Sequence, residues 1–328
     1  MIKRLAIENF KSIRSLELEC RRVNVFIGEP NTGKSNILEA LGLLSLMAYR
    51  ENPSLFVRMK RPQELFHNYN IREPIRIAVD EDEVVGKHDI ENDVARFYVK
   101  GQVEALLVIG ADGVSFVGLT PDFVKRLMFY RFTPDTTFRR KHQAFLLPPD
   151  GHNLPSVLAF NSSLRSMISE ILQDYGYRLM IDLHRATLEI AWELGDVLWR
   201  LPYELLSDTL RRLIFHLAAI ESNEGAVITM EEPEAHAFPA YTKYLAERVA
   251  LDDRNQYFIT THNPYFLLSL VEKTPVKELA VYVTYLRGYE TRAKLLSEDE
   301  LEELLDLASA VFFNLDRFLK GLLGVPED

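Results

Sequence analysis

One cysteine in 328 residues, Cys20, leaves this chain without an internal disulfide or a cysteine-built metal centre, and it reads as a small buried hydrophobe near the end of an early strand. Nothing approaches the ~18 consecutive apolar residues of a membrane span, so no membrane partner is expected. The opening Met1–Glu8 places Lys3, Arg4 and Glu8 too early and too densely for a secretory signal, which predicts a cytoplasmic protein. Basic residues are outnumbered, 38 Lys and Arg against 48 Asp and Glu, for a net charge of −10. That balance excludes a surface generally attractive to nucleic acid. The densest basic cluster, Arg139-Arg140-Lys141, suits a local groove or, more simply, a charged surface turn. Internal repeats, low-complexity tracts and long heptad runs are all missing, which excludes solenoids and coiled-coil arms. What remains is ordinary for a soluble globular protein, 47% hydrophobic and 26% charged. The length fits one large α/β domain with an insertion, or two modest domains.

Against that background the segment Gly28-Glu29-Pro30-Asn31-Thr32-Gly33-Lys34-Ser35 stands out as a complete phosphate-binding loop. The apolar, β-branched run Arg22–Ile27 ahead of it reads as a buried parallel strand, and the apolar spacing after Asn36 reads as a helix. Each residue has a physical task. Gly28 and Gly33 permit backbone conformations and close approaches that a side chain would block. The loop amides and the helix N-terminus present partial positive charge to phosphate oxygens. Lys34 suits neutralisation of the β- and γ-phosphates, and the Ser35 hydroxyl suits a Mg²⁺ ion. These residues predict nucleoside triphosphate binding, with ATP and Mg²⁺ as cofactors.

Alternating segments precede the loop at Lys3–Glu8 and Ile13–Cys20. After the first helix, Ile75–Asp80, Ala95–Val99, Ala105–Ile109 and Gly113–Val117 are separated by Gly and Asp turn signals, as in an antiparallel meander. From Asn153 to Ile171 the spacing is helical, with Asn153 suited to cap it, and Tyr203–Glu221 is a second helix candidate. Beyond Gly225 an α/β rhythm resumes. Strands are expected at Ala226–Met230, Gln256–Thr260 and Leu279–Thr284, with helices at Pro239–Val249 and Pro264–Val271. The tail from Ser297 reads as helical, with Leu301, Leu304 and Leu305 on one face.

Two features of the second half point to hydrolysis. The strand ending Val227-Ile228-Thr229-Met230-Glu231-Glu232-Pro233-Glu234 delivers acids at its C-terminal end, where parallel sheets place ligands. Glu231 is the candidate metal holder, and Glu232 is the candidate general base that polarises the attacking water. Three carboxylates in four residues would otherwise repel one another. Further on, His262 follows the strand Tyr257–Thr260 and precedes Pro264, so a neutral imidazole there can donate to a γ-phosphate and sense its loss. The candidate catalytic set is therefore Lys34, Glu232 and His262.

Together these stretches resemble the ABC-type ATPase heads of the SMC/RecF class, and most closely the stand-alone AAA-family ATPases related to OLD proteins. The segment Ile7-Glu8-Asn9-Phe10-Lys11-Ser12 resembles the N-terminal motif that approaches nucleotide in those heads, which implies roles for Lys11 and Ser12. The loop ending Gly33-Lys34-Ser35-Asn36, the block Glu231–His236 and Thr261-His262-Asn263-Pro264 resemble the remaining motifs, so the likeness frames nearly the whole chain. It implies an α/β P-loop NTPase fold with a mixed core sheet, an antiparallel β subdomain and a helical lobe inserted between the Walker A and Walker B motifs. The corresponding boundaries are 1–150, 151–222 and 223–328 within a single ATPase domain.

The resemblance further implies a homodimer that sandwiches ATP, with a signature segment at Leu205–Arg212 and Ser207 reaching the opposing nucleotide. That segment lacks the glycine such relatives carry, and Ser207-Asp208 equally suits a helix N-cap. A glutamine joins the metal site in such heads, and both Gln63 and Gln143 are candidates. OLD nucleases continue into a further nuclease domain for which the residues after His262 leave little room, so no nuclease in cis is expected. The acidic run Glu298–Glu303 reads as a solvated helix face. The implied role is an ATP cycle driving dimer or partner rearrangement in DNA metabolism or defence, with DNA and a separately encoded effector as partners. The alternative is a regulatory nucleotide-binding module with weak hydrolysis that docks on such an effector.

Overall fold

The computed structural model describes residues 1–111, 113–134, 137–141 and 143–322. The chain opens with strands β1 (Arg4–Phe10) and β2 (Ile13–Glu19), then β3 (Val23–Gly28) and helix α1 (Lys34–Tyr49). A meander follows: β4 (Ile75–Val79), β5 (Asp82–Asp89), β6 (Val94–Val99), β7 (Leu107–Gly110) and β8 (Gly113–Phe116). Because β1 pairs antiparallel with both β2 and β4, these strands form one seven-stranded antiparallel sheet, ordered β2-β1-β4-β5-β6-β7-β8. Strands β4 and β6 alternate buried and half-buried residues, as a sheet with one well-covered face should.

Short helix α2 (Asp122–Lys125) leads into β9 (Leu127–Tyr130), after which come α3 (Leu154–Phe160) and α4 (Ser162–Gln173). A three-stranded sheet of β10 (Arg178–Asp182), β11 (Thr187–Leu194) and β12 (Val197–Pro202) precedes α5 (Asp208–Ser222). The last third runs β13 (Val227–Glu231), α6 (Pro239–Leu251), β14 (Gln256–Thr260), α7 (Pro264–Lys273), β15 (Leu279–Arg287), β16 (Glu290–Leu295) and α8 (Glu298–Leu307). The central sheet is ordered β16-β15-β3-β14-β13-β9, with only β16 antiparallel to its neighbour.

Every residue of β3 and of β14 is buried, because this sheet is covered on both faces. One face, through Phe26, Phe129 and Phe258, packs on α1 and the inner side of the antiparallel sheet. The other, through Val25, Ile27, Ile228 and Ile259, packs on helices α3 to α7. Helix α1 is accordingly apolar nearly all round, as a helix between two sheets must be. The buried Asn24 inside β3 is satisfied: its amide accepts from Arg21 N at 2.8 Å and donates to the carbonyls of Arg21 and Tyr257.

The segment between residues 151 and 222 differs from the sequence expectation. The helix expected over 153–171 breaks at Asn161, whose extended backbone and side chain cap α4 by accepting from Leu164 N at 3.0 Å. Asn153 occupies the N-cap position of α3 as expected, but its side chain makes no capping bond. Its amide instead secures the preceding loop, accepting from Leu147 N and donating to Phe145 O. The helix expected from Tyr203 begins only at Asp208, after one 3-10 turn. The sheet β10-β11-β12 was not expected at all. Its hairpin turns at Gly195 (φ 61°) and pairs the chain's two tryptophans, Trp192 and Trp199, across the strands. Among the described residues no helix is long and apolar enough to cross a membrane.

Candidate nucleotide-binding site

Strands β3, β14 and β13 are parallel neighbours, so the loops leaving their C-terminal ends emerge side by side. That arrangement brings the phosphate loop, the acids after β13 and His262 after β14 to one cleft of about 430 Å³. Pro30, Asn31, Gly33, Lys34, Ser35 and Asn36 line it from the loop, Glu231, Glu232 and His262 from the neighbouring strand ends, and Ser12 and Arg58 from the side.

The loop holds its shape for local reasons. Gly28 has φ 150°, and a Cβ there would sit 2.5 Å from the Thr284 carbonyl oxygen on β15. Gly33 has φ 94°, and a Cβ there would sit 2.0 Å from Thr291 Oγ1 on β16. Both positions therefore require glycine. Thr32, buried behind the loop, donates to Glu29 O at 2.8 Å and shares a hydrogen bond with Thr284. Glu29 itself is exposed, and its carbonyl is what the loop uses. Ser12 Oγ lies 2.6 Å from Thr291 Oγ1 and accepts from Asn36 at 2.6 Å, which ties the N-terminal motif to α1 and β16.

Lys34 folds back on the loop and donates to Gly28 O at 2.9 Å and Glu29 O at 2.7 Å. Burial lowers its pKa to about 8, with Glu232, Glu231 and Glu29 opposing. A cation resting on loop carbonyls, on the first residue of α1, fits a polyphosphate that would replace those acceptors. Burial pushes the Glu231 carboxyl up, but a Ser35 hydrogen bond and the charges of Arg58 and Arg131 more than offset it, leaving the pKa below the ordinary value. Glu232 has φ 45°, and its Oε1 lies 3.5 Å from His262 Nε2. Burial and Lys34 hold His262 below its ordinary pKa while Glu232 opposes, so the ring is neutral near pH 7.

Behind the cleft lies an ion network that the sequence did not reveal. Glu39 of α1 is completely buried and pairs with Lys11, with Arg58 Nε at 2.6 Å and with Arg131 Nη2 at 3.5 Å. The same arginines reach Glu231, at 3.1 Å from Arg58 and 3.3 Å from Arg131. Two guanidinium groups thus bridge the helix of the phosphate loop to the candidate metal acid. Only their basic character was visible in sequence, and spacing gave no hint of the bridge.

Four further expected contributors do not line this cleft, and one of them, Ser207, is expected at the nucleotide of an opposing copy. Lys11 is committed to Glu39 and the Arg58 carbonyl and does not line the cleft. Ser207 is the N-cap of α5, accepting from Leu210 N at 3.4 Å, and its segment touches the site's periphery where Thr209 Oγ1 donates to His236 O at 2.7 Å. Of the glutamines, Gln63 donates to Asp93 and Gln143 is exposed; neither lines the cleft. No cluster of three or more His, Cys, Asp or Glu side chains suited to a metal occurs among the described residues. A single carboxylate, Glu231, with one hydroxyl, Ser35, fits Mg²⁺, an ion that takes few protein ligands and completes its shell with phosphates and water.

A phosphate loop, paired strand-end acids and a strand-end histidine on a mixed sheet, with an antiparallel sheet against the first helix, give the P-loop fold of ABC/SMC-type heads. Residues 1–173 match the AAA ATPase domain family, and the chain belongs to it. The fold is similar to an Smc head solved with the C-winged helix domain of ScpA, at 15% identity and TM-score 0.56, covering 91% of this chain and 99% of that one. It is also similar to the Smc head with an extended coiled coil bound to the C-terminal domain of ScpA from Pyrococcus furiosus. That match has 13% identity and TM-score 0.53 and covers 93% and 98%. A curated relative, the uncharacterized protein MJECL10 of Methanocaldococcus jannaschii, is 42% identical over 62 residues. The match spans 19% of this chain and 27% of that protein's length.

Proposed function

We propose that this cleft binds ATP with Mg²⁺ and hydrolyses it to ADP and phosphate, and that the cycle drives closure and release of two copies or of a partner. The observation that carries the reading is the convergence of Lys34, Ser35, Glu231, Glu232 and His262 on one cleft from three adjacent parallel strand ends. Lys34 leaves the loop carbonyls for the β- and γ-phosphates, while the amides at the start of α1 hold the remaining charge. Ser35 and Glu231 hold Mg²⁺, which when bound neutralises charge on the phosphates. Glu232 accepts a proton from the water that attacks the γ-phosphorus, as the bond to the ADP oxygen breaks. His262 donates to a γ-phosphate oxygen and registers its departure through the adjacent Glu232.

By likeness to Smc heads solved with ScpA domains, a separately encoded protein docks on this head. Family resemblance alone points to DNA metabolism or defence. Phosphate release by the purified protein tests the core reading: Lys34→Ala should neither bind nor turn over ATP, and turnover at the unmodified rate would remove the cleft from the chemistry.

One observation favours a second reading, a regulatory module with weak hydrolysis. The segment Leu205–Arg212 has no glycine, and Ser207 is spent on a helix cap. Brisk steady-state hydrolysis by the isolated protein would exclude it.

A further inference from the structure

Glu234 has no part in the chemistry just described, yet it is 5% exposed, more deeply buried than Glu231 or Glu232. Its Oε1 accepts a hydrogen bond from the Thr261 hydroxyl, and Thr261 Oγ1 in turn accepts from Asn263 N at 3.0 Å. Its other oxygen, Oε2, has no hydrogen-bond partner among the described residues. The backbone N–H groups of Glu234 and His262 also face this carboxyl, yet its burial outweighs them, and a buried carboxyl is costly and calls for a compensating role.

The surroundings suggest which role. The turn that carries Glu232 departs from β13 with two non-glycine residues at positive φ, Glu232 at 45° and His236 at 61°. It is laid against the end of β14, where Glu232 N donates to Thr260 O at 3.0 Å, and it closes on itself through Ala237 N to Glu234 O at 3.0 Å. His262 leaves the same end of β14, one residue after Thr261. The Glu234–Thr261 bond is thus a buried side-chain link between the turn bearing Glu232 and the loop bearing His262, beside the 3.3 Å bond from Glu232 N to Thr260 Oγ1. Backbone positions this unusual need such a constraint to persist.

We propose that Glu234 is a positioning residue that, through Thr261, fixes the separation of Glu232 and His262 across the γ-phosphate position. This rests on the roles given above to Glu232 and His262. An acceptor oxygen is what the link requires, so a carboxamide preserves it and a methyl group does not.

The test uses the intact chain with Glu234→Gln, Glu234→Ala and Thr261→Val. Glu234→Ala and Thr261→Val should each lower kcat by ~10- to 100-fold, the scale of a small misplacement of reacting groups, with affinity for a slowly hydrolysed ATP analogue held within about twofold. The double variant should lose no more than either alone. Glu234→Gln should turn over within about threefold of the unmodified protein, because its carbonyl still accepts from Thr261. Unmodified kcat in Glu234→Ala, or equal losses in the Gln and Ala variants, would overturn the proposal. If Glu232→Gln kept full turnover, the base assignment would fall, yet the link would still be decided by the His262 ring. Its pKa followed by NMR should move in Glu234→Ala and stay in Glu234→Gln, and a ring unmoved in both would show that no link exists.

Discussion

The cleft end of the central sheet and the lobe between residues 151 and 222 were formed by different kinds of information. At the cleft, chemistry needs particular residue types at fixed spacing on one short loop or strand end, and the sheet then aligns three such pieces. In the lobe, no charge has to be met. Its shape follows from which apolar faces find cover, and Leu188 and Ile190 of β11 are buried against helices that the sequence does not mark as neighbours. The proposed chemistry therefore falls where the backbone is most constrained, at Gly28, Gly33 and Glu232.

The sharpest way to press this contrast is Lys34→Ala. Removing the cleft's cation should abolish binding of a fluorescent ATP analogue while leaving the folded state intact, whereas measurable binding would place the site elsewhere. Glu39→Gln comes next. It strips the completely buried partner from Lys11 and Arg131, and thermal and denaturant unfolding should show a loss of about 2–3 kcal/mol, below the usual cost of breaking a buried pair because Arg58 remains solvated. An unchanged midpoint would mean that the network is not a structural bridge.

Glu234 supplies a pH test. Burial raises its pKa from the ordinary 4.5 to about 7, so the folded state holds this proton more tightly than the unfolded chain. Stability from that group is complete below the unfolded pKa and is lost as pH rises through the folded one. The unfolding midpoint of Glu234→Gln should therefore rise relative to the unmodified protein between about pH 5 and about pH 8; a constant difference would contradict the assignment. The smallest effect belongs to the lobe. Asn161→Ala should cost about 1 kcal/mol through the lost cap of α4 and leave ATP turnover unchanged. A loss of turnover there would blur the division between the two regions.

The phosphate loop was legible in sequence because Gly28, Gly33, Lys34 and Ser35 are adjacent in the chain and each is dictated by backbone geometry or charge. The strand ends carrying Glu231 and His262 were legible because continuous β-branched runs mark parallel strands buried on both faces. Arg58 and Arg131 were not, since their partner Glu39 is reached only through the packing of α1. Glu234 was visible as a letter but not as a link, because Thr261 lies a whole helix further along the chain. The three-stranded sheet left signals that could have been read: alternation over Thr187–Leu194 and a glycine turn at Gly195. The helical spacing on either side masked them.

The central claim is that Glu232 activates the attacking water in a cleft whose binding groups lie elsewhere. It is tested most directly by measuring ATP binding and single-turnover hydrolysis of Glu232→Gln on the same preparation. The account predicts unmodified affinity with hydrolysis slowed by ~100-fold or more, the scale of a lost general base. Hydrolysis at the unmodified rate would contradict it.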